Sequence, residues 1–295
     1  MTRGILLVLL AALCWGTSGT VSTYAPESAR SLSIGAVRVL LGALGLLCIA
    51  LIRNRGRRRP PWAWGLVALG ALGVAGGQLA FFSAVGSAGV AVSTVLTIGV
   101  APVFTGMLGA SFLHERPGRI WGIATSLAIC GAVFMVLGAA AVVGGNPLGL
   151  LLGVLGGAGY AVYVTASKLL IEQGHDAVDV TAAIFCGAAV MLLPVFLLGD
   201  WRWVLEPRGA GVALYLGLGT NALPYLLFGL GLALVPVATA ATLTLMEPLT
   251  ATLLGVAWLD ERLTALQWLG VGMLLVGLLV LALPERWRPA VIRPA

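Results

Sequence analysis

The chain consists almost entirely of ten apolar runs, each long enough to cross a lipid bilayer as a helix. A spanning helix needs about 20 apolar residues, so ten of them use about 200 residues. The chain has 295 residues, which leaves room for loops and termini but not for a soluble domain. Charged residues, proline and glycine bound the runs, and the predicted spans are residues 4–24, 31–52, 62–85, 89–112, 119–140, 148–170, 178–198, 210–233, 236–259 and 265–283. The predicted fold class is therefore all-α, a polytopic membrane protein with ten transmembrane helices.

The composition excludes nucleic acid as a partner. Charged residues make up 9% of the chain and hydrophobic residues 60%, whereas about a quarter of an ordinary soluble domain is charged. A net charge of +6 favours nucleic-acid binding only when it lies on a soluble face. Here the arginines stand between apolar runs, which is typical of topology signals. We expect a lipid bilayer around the chain and no contact with nucleic acid.

Enzyme motifs are absent or incomplete. The run G16-T-S-G19 matches the G-x-S-G nucleophile of intramembrane serine proteases, but that chemistry needs a base near Ser18. The two histidines, His114 and His175, fall at predicted span ends far from it. There is no H-E-x-x-H sequence and no glycine-rich nucleotide loop. The sequence predicts that the chain is not an enzyme and that it holds no cofactor or metal.

The distribution of basic residues predicts the orientation. Of the 17 lysines and arginines, twelve lie on the same side of the predicted spans as the N-terminus, four lie on the other side, and Arg38 lies inside a span. Five of the twelve are arginines in residues 53–59. Cytoplasmic loops carry the excess of basic residues, so both termini are expected in the cytoplasm, with the protein in a bacterial inner membrane. Eight of the nine tryptophans fall at predicted span ends, and Trp15 alone falls near the midplane.

The two halves of the chain share a spaced motif. Pro102 stands thirteen residues before the Glu-Arg pair at 115–116, and Pro248 stands thirteen residues before the Glu-Arg pair at 261–262. Each pair ends the fourth span of its half. These prolines are predicted to be helix flex points, because proline removes a helical hydrogen bond.

The repeated motif predicts two five-helix repeats, residues 1–143 and 147–295. Because five is odd, the second repeat enters the membrane from the side opposite to the first. Inverted repeats are typical of secondary transporters, which hold their substrate near the midplane between the repeats.

Ten spans arranged as five plus five, with the Pro-x12-Glu-Arg motif closing the fourth helix of each half, resemble the drug/metabolite transporter superfamily. Within it the chain is similar to EamA-type permeases, of which aromatic amino-acid exporters of the YddG type are one branch. The resemblance implies a central cavity lined by helices 1, 3, 4, 6, 8 and 9, with helices 5 and 10 at the periphery. It also implies export of amino acids, other metabolites or drugs.

Glu247 is the one carboxylate deep inside a predicted span. Burying a charge there costs on the order of 3 kcal/mol, so Glu247 is expected to face other helices or water. Three interpretations stay open: it binds a substrate ammonium, it carries a coupled proton, or it is a structural acceptor beside the Pro248 kink. Arg38, the only deep-set cation, could attract a carboxylate, but snorkelling toward headgroups or structural pairing is the favoured interpretation. Glu115 and Glu261 are interpreted as helix-end determinants.

Polar and aromatic side chains at mid-span complete the predicted substrate cavity. Trp15 is singled out because its indole N–H needs a partner at that depth, although aromatic residues in membrane helices also pack. Buried amides either join helices or face a wet cavity. The candidate cavity residues are Trp15, Ser18, Gln78, Phe82, Tyr160, Tyr163, Asn221, Tyr225, Thr244 and Glu247.

Together these features predict a secondary active transporter that exports small metabolites by alternating access. Amino acids are the favoured substrates, aromatic ones first, because aromatic walls would combine with amides and one acid. A multidrug exporter of cationic drugs is the alternative, and a channel is a further one. The expected partners are the small-molecule substrate, the bilayer and, on one interpretation of Glu247, a coupled proton.

Overall fold

The computed structural model describes residues 2–53, 60–139, 146–258 and 262–282. Ten helices in these ranges are long and apolar enough to cross a membrane, and no strand occurs in them. In chain order, spans 1 to 10 are Thr2–Ser22, Ser31–Arg53, Trp64–Ala88, Val92–Phe112, Arg119–Gly138, Pro147–Glu172, Ala177–Leu198, Pro207–Leu232, Val237–Trp258 and Ala265–Ala282. The prediction of an all-α, ten-span membrane protein is confirmed. Its physical basis is that a chain in lipid must satisfy its backbone hydrogen bonds within each helix.

Some sequence predictions concern residues outside these described ranges. Glu261, most of the arginine-rich loop and the C-terminal arginines lie outside the described ranges. Two spans, 6 and 7, begin at a side-chain cap that the sequence contains. The side chains of Asn146 and Asp176 accept hydrogen bonds from the backbone N–H groups of Leu148 and Val178, at 3.0 and 2.9 Å. Such Asx caps satisfy amide groups that a helix N-terminus leaves unpaired.

The spans pair across the two halves of the chain. Span 3 packs along span 6 and span 1 along span 8; spans 6 and 1 also contact spans 4 and 9, respectively. Span 2 packs on span 7, and span 5 on span 10. Exchanging spans 1–5 with spans 6–10 reproduces this set of pairings. Spans 1, 3, 6 and 8 therefore lie at the centre of the bundle, and spans 5 and 10 form a separate pair.

Two spans are irregular near their middle. Span 8 contains a π-helical segment, Tyr215–Ala222, between two α-helical pieces. Span 9 consists of Val237–Leu243 and Met246–Trp258, so its helix is interrupted at residues 244–245. Pro248 lies in the first turn of the second piece, where its lack of an N–H group is tolerated. Pro102 lies inside the helix of span 4, which continues through it. The two prolines thus sit in different local structures, and their role as flex points stays a prediction.

Candidate functional site

A cavity of about 560 Å³ lies among the spans, with walls from spans 1, 2, 3, 4, 6, 8 and 9. Small-molecule sites have volumes of about 300–1,000 Å³. Six of these spans are the ones that the family resemblance implies, and span 2 is an addition. Span 2 contributes Ser31, Ile34 and Arg38, whose spacing of three and four residues places them on one face of the helix.

The cavity extends from the middle of the bundle to one end of it. Its lining includes Ser22, the last residue of span 1, and Ser31, the first residue of span 2. We call the end that carries residues 23–30 the Tyr24 face, and the opposite end, with residues 113–118 and 233–236, the Glu115 face. No lining residue lies near the span ends of the Glu115 face. The cavity therefore communicates with the Tyr24 face only.

Aromatic rings close the inner end of the cavity. Trp15 contacts Tyr225 at 4.8 Å between ring centroids, and Tyr163 lies 5.8 Å from Tyr225. We call Trp15, Tyr160, Tyr163 and Tyr225 the aromatic floor. Phe185 and Phe228 are fully buried and pack against it from outside the lining, at 4.2 Å from Tyr225 and 5.6 Å from Trp15. The floor separates the cavity from the Glu115 face.

The floor also holds unused hydrogen-bond donors. The Nε1 atom of Trp15 is buried without a hydrogen-bond partner. The buried hydroxyl groups of Tyr160 and Tyr163 lie beside the hydroxyl groups of Thr244 and Ser167, but not in good hydrogen-bond geometry. A buried donor that stays unpaired costs about 1–3 kcal/mol. Such donors beside a cavity are available to a bound polar ligand or to water, and either one would recover part of this cost.

Two opposite charges line the cavity. They are Arg38 from span 2 and Glu247 from span 9, at the start of its second piece. The side chain of Glu247 is partly exposed and makes no hydrogen bond or ion pair within the described part of the chain. It can therefore accept hydrogen bonds from a cationic ligand. Arg38 lies on the cavity-facing side of span 2 with Ile34. It makes no ion pair within the described ranges, and its interpretation as a snorkelling residue stays a prediction.

Span 1 approaches Glu247 closely because Gly16 has no side chain. A Cβ atom at Gly16 would lie 2.9 Å from the backbone oxygen of Glu247 and 2.5 Å from Cβ of Thr250. The sequence W15-G-T-S-G-T20 thus brings Trp15 and Ser18 beside the interrupted part of span 9. Within the described ranges no group of three or more His, Cys, Asp or Glu side chains is placed to hold a metal ion.

The structure brings most of the candidate cavity residues together. Nine of the ten line the cavity: Trp15, Ser18, Gln78, Phe82, Tyr160, Tyr163, Tyr225, Thr244 and Glu247. The sequence analysis missed Arg38, Thr94 and Thr97, which also line it. The depth of Arg38 was the available signal. The two threonines are spaced like one face of a helix, but a threonine in an apolar helix also bonds its own backbone.

Asn221 lies outside the cavity. It is fully buried, and a Cβ atom at Gly42 of span 2 would lie 2.7 Å from it. Leu216 and Tyr225 line the cavity instead. Nine residues of regular α-helix, at about 100° each, would place these two on opposite faces. A π-helix has more residues per turn, so each residue rotates the chain less about the helix axis. The π-helical segment therefore brings both Leu216 and Tyr225 to the cavity. Asn221 faces span 2 instead.

Side-chain contacts tie the helix ends together at the Glu115 face. Glu115 Oε1 accepts a hydrogen bond from the backbone N–H of Val237, the first residue of span 9, at 2.9 Å. Lys168 Nζ donates to the backbone oxygens of Leu232 and Val235, at 2.9 and 3.2 Å. An acid at a helix N-terminus and a base at a helix C-terminus both complement the helix dipole. These contacts join spans 4 and 6 to the corner between spans 8 and 9.

Comparison with known proteins finds the same architecture. The chain matches the EamA-like transporter family twice, over residues 2–137 and 147–283. It is 41% identical over 281 residues to the uncharacterized transporter YwfM of Bacillus subtilis, which covers 95% of this chain and 94% of that protein. It is 30% identical over 282 residues to the threonine/homoserine exporter RhtA of Escherichia coli, which covers 92% and 88%. A solved structure described only as "Crystal structure of protein" shares the fold, with a TM-score of 0.80 at 20% identity over 94% of this chain and 95% of that one.

Proposed function

Because this chain belongs to the EamA-like transporter family, we propose that it is a secondary active transporter that exports amino acids by alternating access. The chain is a multi-pass membrane transporter rather than an enzyme. The observation that carries the proposal is the cavity itself, which is built from both halves, reaches the middle of the bundle and stops at the aromatic floor.

The floor favours a carrier over a channel. Alternating access holds a substrate near the midplane and exposes it to one side at a time. The cavity communicates with the Tyr24 face, while the aromatic floor and the Glu115 and Lys168 contacts lie between it and the opposite face. A channel would need a continuous path between the two faces.

Two inverted repeats, residues 1–143 and 147–295, are the proposed basis of this mechanism. The family matches each half separately, and the span pairings are unchanged when the halves are exchanged. Both observations support the repeats. The excess of basic residues on one side supports cytoplasmic termini in a bacterial inner membrane. With that orientation the Tyr24 face is external, and the cavity opens outward.

The chemistry of the cavity supports an amino acid as the substrate. Glu247 provides an unpaired carboxylate for an ammonium group, and the aromatic floor suits an aromatic side chain. The relatives named threonine/homoserine exporters support hydroxy amino acids as a second candidate. The hydroxyl groups of Ser18, Thr94 and Thr97 in the walls are compatible with it. A cationic drug is disfavoured, because Arg38 would repel it inside the same cavity.

Counterflow in proteoliposomes tests the proposal. The substrates are L-tryptophan, L-phenylalanine, L-threonine, L-homoserine and the lipophilic cation tetraphenylphosphonium, each with and without an imposed pH gradient. We expect saturable uptake that is accelerated by an amino acid on the opposite side. Flux without saturation or counterflow would identify a channel, and transport of tetraphenylphosphonium alone would identify a drug exporter. Glu206→Gln, at an exposed residue outside the cavity, is the control for a substitution of an acid and should transport like the wild type.

A further inference from the structure

Arg38 and Glu247 are the two charged residues that line the cavity. They come from spans 2 and 9, and each interacts electrostatically with the other and with Tyr225 of the floor. Arg38 and Glu247 form no ion pair with each other; within the described ranges the ion pair joins Arg53 and Asp176. The two charges therefore face the same space without neutralising each other by direct contact.

This arrangement leaves hydrogen-bonding capacity unused within the described part of the chain. Removing a charge from water costs several kcal/mol, and Arg38 Nε is buried without a hydrogen-bond partner. A structural ion pair would place the carboxylate of Glu247 directly on the guanidinium, in the bidentate geometry that arginine favours. The observed separation leaves both groups available for a molecule that carries a positive and a negative group of its own.

We infer that Arg38 and Glu247 together select a zwitterionic α-amino acid, with its carboxylate on Arg38 and its ammonium group on Glu247. This inference rests on the proposed function, which assigns the substrate ammonium group to Glu247 but names no group that recognises the substrate carboxylate. An amine that lacks the carboxylate meets the repulsion of Arg38, and an acid that lacks the ammonium group meets the repulsion of Glu247. The aromatic floor beside both charges receives the side chain of the substrate.

The wild-type protein provides the first test. Three competitors are compared for inhibition of L-phenylalanine counterflow: unlabelled L-phenylalanine, L-phenylalanine amide, which lacks the negative charge, and 3-phenylpropionate, which lacks the ammonium group. A charge-assisted hydrogen bond contributes enough binding energy for a change of about 10- to 100-fold. We expect the amide and the acid each to inhibit at least about tenfold more weakly than the amino acid. Equal inhibition by the amide and the amino acid would overturn the inference without any variant.

Variants separate the two charges. Arg38→Gln is expected to raise the half-saturation concentration of L-phenylalanine about 10- to 100-fold and to lower that of the amide, because the variant no longer repels a cation. Glu247→Gln is expected to weaken both, since both carry the ammonium group. Arg38→Lys keeps the charge but loses the bidentate fork, and should recover part of the affinity. Arg202→Gln, at an exposed arginine outside the cavity, should behave like the wild type.

The outcomes distinguish this inference from the proposed function. Wild-type protein that transports no amino acid would contradict the proposed function, and the inference would fall with it. If the wild type transports threonine but not phenylalanine, threonine and threonine amide replace the phenylalanine pair. Wild-type amino-acid transport with equal losses for the amino acid and its amide in Arg38→Gln would overturn the inference alone. Arg38 would then be a counter-charge for Glu247 and not a ligand of the substrate.

Discussion

Replacing Glu115 should open the face that the structure shows closed. Glu115 Oε1 accepts the N–H of Val237 at 2.9 Å, and this contact holds the end of span 4 against the start of span 9. The proposed alternating access requires the Glu115 face to open at some stage, so this contact is expected to break in the opposite state. Glu115→Ala removes it from the observed state only, and should shift the equilibrium toward the state open at the Glu115 face.

The size of the shift follows from one hydrogen bond to a charged group. Such bonds contribute about 1.5–3 kcal/mol, and the lower end applies because Glu115 is partly exposed. A change of about 1.4 kcal/mol is tenfold in an equilibrium constant, so Glu115→Ala should raise the population of the opposite state about tenfold. Glu115→Gln keeps an acceptor but loses the charge beside the helix dipole, worth about 0.3–1 kcal/mol. Its expected effect is about two- to fivefold.

Cysteine accessibility at position 167 measures this population. Ser167 is 2% exposed and lies four residues beyond Tyr163, between the aromatic floor and the Glu115 face. In a background without the native cysteines, Ser167→Cys should react with a soluble maleimide only when that face opens. When opening is fast, the reaction rate is proportional to the population of the open state. The rate should therefore rise about tenfold with Glu115→Ala.

Glu172→Ala is the matched control, because Glu172 is an exposed acid on the same face. Surface substitutions usually change stability by less than about 0.5 kcal/mol, so its labelling rate should stay within about twofold of the parent. A Glu115→Ala rate no higher than that of the control would refute the role of Glu115 in closing this face. A uniform loss of folded protein would appear separately, as lower recovery from size-exclusion chromatography.

Four further predictions concern other parts of the molecule. Glu247→Gln should impair transport; loss of the response to an imposed pH gradient would indicate a coupled proton, and lost affinity alone would indicate ammonium binding. Trp15→Ala removes ring contacts to Tyr225 and Phe228 at 4.8 and 5.6 Å, so it should weaken transport or change substrate preference without preventing membrane insertion. Unchanged transport of all substrates would show that Trp15 only packs. In intact cells an external thiol reagent should label Arg202→Cys and not Arg57→Cys; the reverse would overturn the orientation. Gly131→Ala would place a Cβ atom 2.6 Å from the backbone of span 10. It should lower the free energy of unfolding by about 1–3 kcal/mol, measured by thermal unfolding, and leave the KM of transport unchanged.

The ten spans were predictable because each is a local property of the chain. Every helix must satisfy its own backbone in lipid, so the length of an apolar run determines where a helix begins and ends. The observed ends agree with the predicted ones to within about one turn. Pro248 marked span 9 as a candidate for an irregular helix, and the interruption at residues 244–245 lies just before it. The π-helical segment Tyr215–Ala222 had no such signal, since its residues differ little in composition from the α-helical turns around it.

The candidate site was only partly predictable. Trp15 and Glu247 stand out in the sequence because an indole or a carboxylate at that depth is costly without partners. The direction of a side chain around its helix is different, because it depends on how neighbouring helices pack. Asn221 therefore faces span 2 although its depth suits a cavity. Arg38 faces the cavity although its length would allow it to reach headgroups.

The sequence by itself determined the fold class, the number of spans and the family, because hydrophobic length and motif spacing are read along one chain. The tertiary structure decided which charges share a cavity, and which face is closed. Both depend on contacts between spans that are far apart in sequence, such as Glu115 with Val237 and Lys168 with Leu232. Membrane helices pack through shape and small residues without a hydrophobic force that distinguishes one apolar face from another. The apolar pattern therefore cannot reveal these contacts.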